Sequence, residues 1–251
     1  MTRDPKNERV EITTLYDGRL QCSQHKEGYR FSVDALLLGH FFHGGKEEKV
    51  LDLCCGSGIV GLILCYRSTG EIHSITGLEV QESLAILAKK NCSLNSFASK
   101  MNVVQGDFRS VLDYFPAESF SAVVCNPPFY SPETGRPSKN KEAHIARHQV
   151  NGTLAELCRA AAVAVKNRGR VCMIYPADRL VELFSCLAAS RLVPKRIQAV
   201  YSYPDQEAEA RLMLVEAVKN GGASCRVLAP FYIYTEKNGP YSEPMAELYK
   251  N

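Results

Sequence analysis

The sequence predicts an α/β fold built on a mostly parallel sheet, and three observations carry that expectation. Strand-like apolar runs alternate with helix-like stretches along most of the 251 residues, the pattern of a sheet covered by helices on both faces. Two runs, Val50-Leu-Asp-Leu-Cys-Cys55 and Ala122-Val-Val-Cys-Asn126, are almost continuously apolar, as strands buried on both faces are. The first of them leads straight into a glycine-rich turn and then a helix, which makes the sheet Rossmann-like.

Taken in order, Val10–Gln24 reads as a hairpin with Tyr16-Asp17-Gly18-Arg19 as its turn. Val33–Phe42 reads as an apolar helix with Ser32 as N-cap. Together they form a small N-terminal cap over residues 1–44, ahead of a main domain over 45–251, and the two are expected to make one compact unit. Seven strands are expected, at Lys49–Cys54, Ser74–Val80, Met101–Gln105, Ser121–Asn126, Arg170–Tyr175, Arg196–Tyr201 and Arg211–Val218. Helices are expected at Gly58–Arg67, Gln81–Leu94, Thr153–Lys166 and Ala177–Ser190. No helix separates the last two strands, and Pro204-Asp205 reads as a turn, so an antiparallel strand at one sheet edge is expected. Ala223–Asn251, with Pro230, Gly239-Pro240 and Pro244, reads as irregular. The longest connection without elements, Pro127–Gly152, starts where open parallel sheets bind their ligands.

Composition narrows the class. An apolar fraction of 45% and a charged fraction of 23% exclude a disordered or collagen-like chain. No apolar run approaches the roughly 20 residues that span a bilayer, and the N-terminal stretch has no apolar h-region, so neither a membrane partner nor a secretory signal is expected. With 30 basic and 27 acidic residues the net charge is +3, which permits a nucleic-acid partner where positive charge gathers locally. The 10 cysteines form no CxxC pair and sit mostly in apolar runs, so they read as reduced core residues of a cytoplasmic protein. The 6 histidines show no ligand spacing, and no metal is expected.

The residues that carry chemistry follow the strands. Gly56, Gly58 and Gly61 have the spacing of a dinucleotide-binding turn, where glycine lets a ligand approach the backbone. Asp52, inside the strand before Gly56, alters that expectation. A buried acid would repel a pyrophosphate; it suits a cationic, amine-bearing cofactor, and S-adenosylmethionine, with its sulfonium and amino group, meets the requirement. Glu79, which ends the next strand ahead of Val80, is placed to accept hydrogen bonds from a ribose diol, the alternative being an exposed strand-end charge. After the third strand come Gly106-Asp107-Phe108. Asp107 there suits an adenine amino group, with Phe108 beside the ring, or else it is a helix N-cap.

Asn126-Pro127-Pro128-Phe129 follows the fourth strand. The two prolines fix the backbone and remove two N–H donors, so carbonyls and the Asn126 side chain point outward as acceptors. An exocyclic amine on an aromatic ring is a poor nucleophile because its lone pair is delocalised. Acceptors that hold both its hydrogens favour a pyramidal nitrogen facing an electrophile, and Phe129 and Tyr130 are placed to stack on a flat substrate. The alternative is a rigid strand-to-loop corner, since Asn-Pro is a common turn starter.

The combination of Asp52-x-x-x-Gly56-Ser-Gly58 with Asn126-Pro-Pro-Phe resembles class I S-adenosylmethionine-dependent methyltransferases of the amino-group type. Gly28-Tyr-Arg-Phe-Ser-Val-Asp34-Ala-Leu-Leu-Leu38, Ala146-Arg147-His148 and Phe231-Tyr-Ile-Tyr234 extend the similarity over nearly the whole chain, to the bacterial family that makes N6-methyladenosine at position 37 of a valine tRNA. The chain departs from that pattern at Gln149, where an acid is expected, and at Cys54-Cys55, where small residues are more usual. The resemblance implies a seven-stranded class I methyltransferase sheet and S-adenosylmethionine as cofactor. It implies that Tyr29, Arg30, Phe31 and Asp34 close over that cofactor; read from the residues alone, Ser32 and Asp34 cap a helix. Cys54, Gly56, Ser57, Gly58, Val80 and Gly106 would line its site with Asp52, Glu79, Asp107, Phe108 and Asn126, while Asn126, Pro127, Pro128 and Phe129 would carry the transfer.

The implied partner is tRNA. From residue 136 to 152, in the connection after the motif, Arg136, Lys139, Lys141 and Arg147 stand against a single acid, Glu142, which suits phosphate contacts or an ordinary solvated loop. The Asn-Pro-Pro motif alone also allows a guanine N2, a DNA adenine or a protein glutamine as acceptor, and a non-catalytic tRNA-binding protein is the reading from another class. A cytoplasmic, monomeric protein is expected.

Overall fold

The computed structural model describes residues 10–26, 33–67, 72–127, 152–205, 207 and 209–250. The expected hairpin is present as β1 (Val10–Leu15) and β2 (Leu20–His25), antiparallel with Leu15 opposite Leu20. Its turn places Tyr16, Asp17 and Gly18 at φ of 55°, 55° and 84°, the left-handed run that matches the twist of two antiparallel strands. Helix α1 (Val33–Phe41) follows, with Asp34 in its first turn.

The main sheet contains β3 (Glu48–Leu53), β4 (Ile72–Glu79), β5 (Met101–Gln105), β6 (Phe120–Cys125), β7 (Val165–Pro176), β8 (Leu192–Tyr201), β9 (Leu212–Lys219), β10 (Arg226–Val227) and β11 (Phe231–Tyr232). Its order is β10-β8-β9-β7-β6-β3-β4-β5, with β11 also on β8. The chain runs from β3 outward to β5 on one side and returns to β6 on the other, so strand direction of travel reverses between β3 and β6. In open α/β sheets ligands bind at the carboxyl ends of the strands beside such a switch point.

Each strand alternates between two cores. Val50, Ala122, Val124, Cys172 and Ile174 face α1, α2 (Ile59–Arg67) and the hairpin. Leu51, Leu53, Val123, Cys125, Val171 and Met173 face Phe108, α5 (Leu154–Ala164) and α6 (Leu180–Ala189). A period of 2 with both phases apolar is what a sheet covered on both sides requires. Helix α3 (Glu82–Leu94) packs beside β5 and against the hairpin, and α4 (Val111–Tyr114) is a single turn. Seven cysteines are buried in these cores; Cys54 and Cys186 are half-buried and Cys225 is exposed.

Three expectations change. The reversed strand, β9, lies between β7 and β8 and not at the outer edge, because it pairs antiparallel with both. The helix expected to reach Lys166 stops at Ala164, and β7 begins at once with a kink at Arg168, φ 64°. Ala223–Asn251 is not irregular: β10 and β11 add to β8, and α7 (Glu243–Leu248) is capped by Ser242 and buries Met245 completely. Its order comes from docking onto β8, which local periodicity does not register.

Candidate functional site

The site forms where β3, β4 and β6 end. Asp52 lies inside β3 and is 1% exposed. Its Oδ2 accepts from the Gly61 N–H at 2.9 Å, so it satisfies one of the orphan donors in the first turn of α2. Burial pushes its carboxyl up to about 7, against the Gly61 hydrogen bond, which lowers it, and with a smaller push from Glu79. A buried acid that is reluctant to ionise gains most from a cation beside it.

Beyond Asp52 the chain turns through Cys54 at φ 61°, Gly56 at φ 57° and Gly58 at φ 85°. A left-handed non-glycine residue costs about 1–2 kcal/mol, and the turn is held against it. Cys55 N–H donates to Leu78 O at 3.1 Å, Gly58 N–H donates to Cys55 O at 2.8 Å, and Gly56 N–H donates to Glu79 Oε2 at 2.9 Å. Cys55 Sγ lies over Gly77, where an added Cβ would approach it to 2.7 Å, so the unusual Cys55 is matched by a missing side chain on β4. Ser57 is 2% exposed; its carbonyl accepts from Asn91 Nδ2 at 2.9 Å and its hydroxyl lies 3.6 Å from Cys22 Sγ.

Glu79 is 5% exposed, which removes the reading of an exposed strand-end charge. Burial raises its pKa, opposed by the backbone N–H groups of Gln81, Gly56 and Val80. Its Oε1 accepts from Gln81 N–H at 3.0 Å. Gly106 N–H donates to Glu79 O at 2.9 Å, so the end of β5 closes onto the end of β4. Asp107 is an N-cap, as its alternative reading had it: it accepts from Arg109 N–H at 2.9 Å, and the Arg109 guanidinium holds its carboxyl below the usual range. Phe108 is 7% exposed and packed in the core with α5.

β6 brings in the acceptor side. Leu53 pairs with Cys125, so Asn126 emerges beside Cys54 at the adjacent strand end. Asn126 is 9% exposed and makes no side-chain hydrogen bond to another described residue. Pro127 is buried next to it. A cleft of about 600 Å³ continues the same edge beyond β7, walled by Pro176, Asp178, Tyr203 and Arg211 among others.

The structure thus brings Asp52, Cys54, Gly56, Ser57, Gly58, Glu79, Val80, Gly106 and Asn126 to one edge; Asp34 is half-buried in the first turn of α1. Tyr29, Arg30, Phe31, Pro128, Phe129, Tyr130, Arg136, Lys139, Lys141 and Arg147 lie outside the described residues. Asn91 is a partner of the turn that motif reading did not single out, whereas Gly61, held by Asp52, was part of the glycine spacing. Asn91 carries no signal beyond a polar residue on the apolar side of a helix.

Among the described residues no helix is long and apolar enough to cross a membrane. A family model described as methyltransferase small domain matches residues 32–174. The tRNA1(Val) (adenine(37)-N6)-methyltransferase of Shewanella sp. (strain MR-4) is 26% identical over 230 residues, covering 89% of this chain and 92% of that protein. The protein of the same name from Actinobacillus pleuropneumoniae is 31% identical over 168 residues, covering 65% and 68% respectively. The crystal structure of a predicted O-methyltransferase from Agrobacterium tumefaciens superposes with a TM-score of 0.69 at 21% identity, over 86% of this chain and 94% of that one, a likeness of fold.

Proposed function

The chain belongs to the methyltransferase small domain family, and from that premise we propose that it methylates the N6 amine of an adenine in tRNA, position 37 of a valine tRNA, with S-adenosylmethionine as donor. The observation that carries this reading is the register of β3 on β6, which sets the acid-backed glycine turn beside Asn126. Relatives covering most of the chain, and named for that reaction, support the substrate.

The residues fit the donor. Asp52 is a fully buried carboxyl held near neutrality, suited to a cationic ligand. Glu79, fixed by Gly56 and Gln81, keeps acceptor capacity for a diol, and Gly56 and Gly58 leave the turn's backbone open to close approach. When bound, S-adenosylmethionine supplies a methyl group on a sulfonium sulfur, which makes that carbon electrophilic. Asn126 Oδ1 and the Pro127 carbonyl accept the two hydrogens of the adenine amine and turn its lone pair outward. Phe129 and Tyr130 stack on the base, which is turned out of its loop at a cost of about a few kcal/mol. The amine becomes a strong acid once methylated, so its proton leaves without a strong base. Arg136, Lys139, Lys141 and Arg147 contact phosphates, and the reaction's substrate implies a cytoplasmic location.

Mass spectrometry of nucleosides from tRNA treated with and without the protein tests the reading. N6-methyladenosine appearing in valine tRNA is the expected result. Label from the cofactor appearing instead in rRNA, DNA or protein would move the activity to another planar amine. No label in any of them, with no binding of the cofactor by calorimetry, would leave a tRNA-binding protein.

A further inference from the structure

Asn91 links the N-terminal hairpin to the glycine turn, beside the direct contact of Cys22 Sγ with the Ser57 hydroxyl at 3.6 Å. In β2, successive residues point their backbone groups to opposite edges, and β1 occupies only one edge. The other edge is met by two asparagines four residues apart, Asn91 in the last turn of α3 and Asn95 at its C-cap. Asn95 Oδ1 accepts from Gln21 N–H at 2.8 Å and its Nδ2 donates to Gln21 O at 2.7 Å. Asn91 repeats the arrangement two residues along: Oδ1 accepts from Ser23 N–H at 2.8 Å and Nδ2 donates to Ser23 O at 2.9 Å. The two carboxamides imitate a paired strand and close an edge that would otherwise be left open.

The second bonds of the two carboxamides go to different places: Asn95 Nδ2 donates to Asn91 O at 2.8 Å, whereas Asn91 Nδ2 lies 3.4 Å from Cys22 Sγ and reaches the turn. There it donates to Ser57 O, at 2.9 Å, between Gly56 and Gly58. Asn91 is 0% exposed and Ser57 is 2% exposed, so water does not replace that bond when the donor is removed. Two left-handed glycines give the turn little stiffness of its own. Its other anchors, Gly56 on Glu79, Gly58 on Cys55 and Cys55 on Leu78, belong to the turn or to the adjacent strand. Ser57 is the point where a different layer takes hold.

We propose that Asn91 is a positioning residue for the cofactor turn: its carboxamide joins Ser57 O to Ser23, making β2 part of the cofactor site. The inference rests on the methyltransferase reading above. Occupation of the turn then tightens the hairpin, and loosening the Asn91 link weakens cofactor binding, with reciprocal effects.

Asn91→Ala and Asn95→Ala separate this from a purely structural role, since both loosen β2 and only the first releases Ser57. Calorimetric titration of the full chain with S-adenosylhomocysteine is expected to show about a tenfold loss of affinity for Asn91→Ala and little change for Asn95→Ala. Asn91→Asp, which keeps the acceptor for Ser23 N–H but turns an oxygen toward Ser57 O, should be at least as damaging as alanine. Equal affinities for the two alanine variants overturn the proposal and leave Asn91 a structural residue. Wild-type protein that does not bind the ligand at all overturns the methyltransferase reading and this inference with it. Should Asn91→Ala not fold, hydrogen exchange in the wild type decides. Ligand should slow the Ser23 amide by about tenfold and the Gln21 amide less; identical rates with and without ligand overturn the proposal.

Discussion

The two strands that meet at the centre of the sheet end in opposite ways. At the end of β3 the polar groups already have partners: Asp52 holds Gly61, Glu79 from the adjacent end of β4 holds Gly56 and Gln81, and Ser57 is held by Asn91. At the end of β6, Asn126 is nearly as buried, yet its amide has no partner among the described residues. On the proposed function, the donor side of the site is the one already held by hydrogen bonds, and the acceptor side is the one whose amide is not so held. Binding on the first side should then depend on structure, and turnover on the second should be separable from it.

Asn126→Ala is the strongest way to break that contrast. By analogy with removing a preorganised oxyanion donor, it should cost about 2.7–4 kcal/mol of transition-state stabilisation, or about 10²–10³ in kcat. Because the amide supports no other described residue, the melting temperature should hold or rise, and the affinity for S-adenosylhomocysteine should stay near wild type. Turnover close to wild type in single-turnover assays, with cofactor binding intact, would take Asn126 out of the mechanism.

Gly58→Ala probes the other side, where the opposite pattern is expected. Gly58 has φ 85°, and an added Cβ would lie 3.2 Å from Ala88 Cβ and 3.5 Å from Ala88 Cα on α3. Backbone strain alone should lower stability by about 1–2 kcal/mol, a fall of about 2–8 °C in Tm by calorimetry. Cofactor affinity should fall with it. A variant as stable as wild type would show that the turn is looser than its hydrogen bonds imply.

A smaller effect comes from pH. The Asp52 carboxyl is raised from 3.8 to about 7 by burial. A raised acid favours the fold most when protonated, so its contribution is complete below its unfolded value and is lost as pH rises through about 7. A cationic ligand selects the ionised form, so affinity for S-adenosylmethionine should increase over that window, by about tenfold between pH 6 and pH 8. Glu79, also raised by burial, acts with the same sign. Titrations in buffers of different ionisation heat should show proton release on binding near neutral pH, and Asp52→Asn should remove it. Affinity independent of pH would mean that Asp52 does not sense the ligand's charge.

The contrast between the two strand ends was only half legible in the sequence. Strands such as β3 and β6 announce themselves because burial on both faces leaves an apolar run with few polar interruptions, and Asp52, inside the apolar run of β3, stands out against that background. The hairpin was legible because Tyr16-Asp17-Gly18-Arg19 interrupts an alternating pattern at its midpoint. The insertion of β9 between β7 and β8 was not, because neighbour order is decided by packing between layers and leaves no local trace. Asp107 shows a second limit. The same short acid after a strand serves as a cap or as a ligand contact, and only the placement of Arg109 decides that it caps here. Asn91 and Asn95 were invisible because they recognise main chain, which has the same chemistry at every residue.

Thr153 offers the finest test of where the acceptor side ends. It opens α5, the first described helix after Asn126 and Pro127, with a capping box: its Oγ1 accepts from Glu156 N–H at 3.2 Å, and its own N–H donates to Glu156 Oε2 at 2.7 Å. Those Thr153 donors hold the Glu156 carboxyl below the usual range. Immediately before it, Gly152 has φ 69°, and an added Cβ there would lie 2.6 Å from Phe108 Cζ, so the chain re-enters the fold in close contact with the core beneath β5. Thr153→Ala should cost about 1 kcal/mol of stability, read as a small drop in Tm. Cofactor affinity should not move, because the hydrogen bonds that hold the turn come from β4, from α3 and from the turn itself. If the acceptor side is confined to the Asn-Pro corner, kcat on tRNA should be unchanged as well. A loss of kcat without loss of cofactor affinity would place the anchoring of Thr153 on the acceptor side, and the boundary drawn at Asn126 would then have to move to the start of α5.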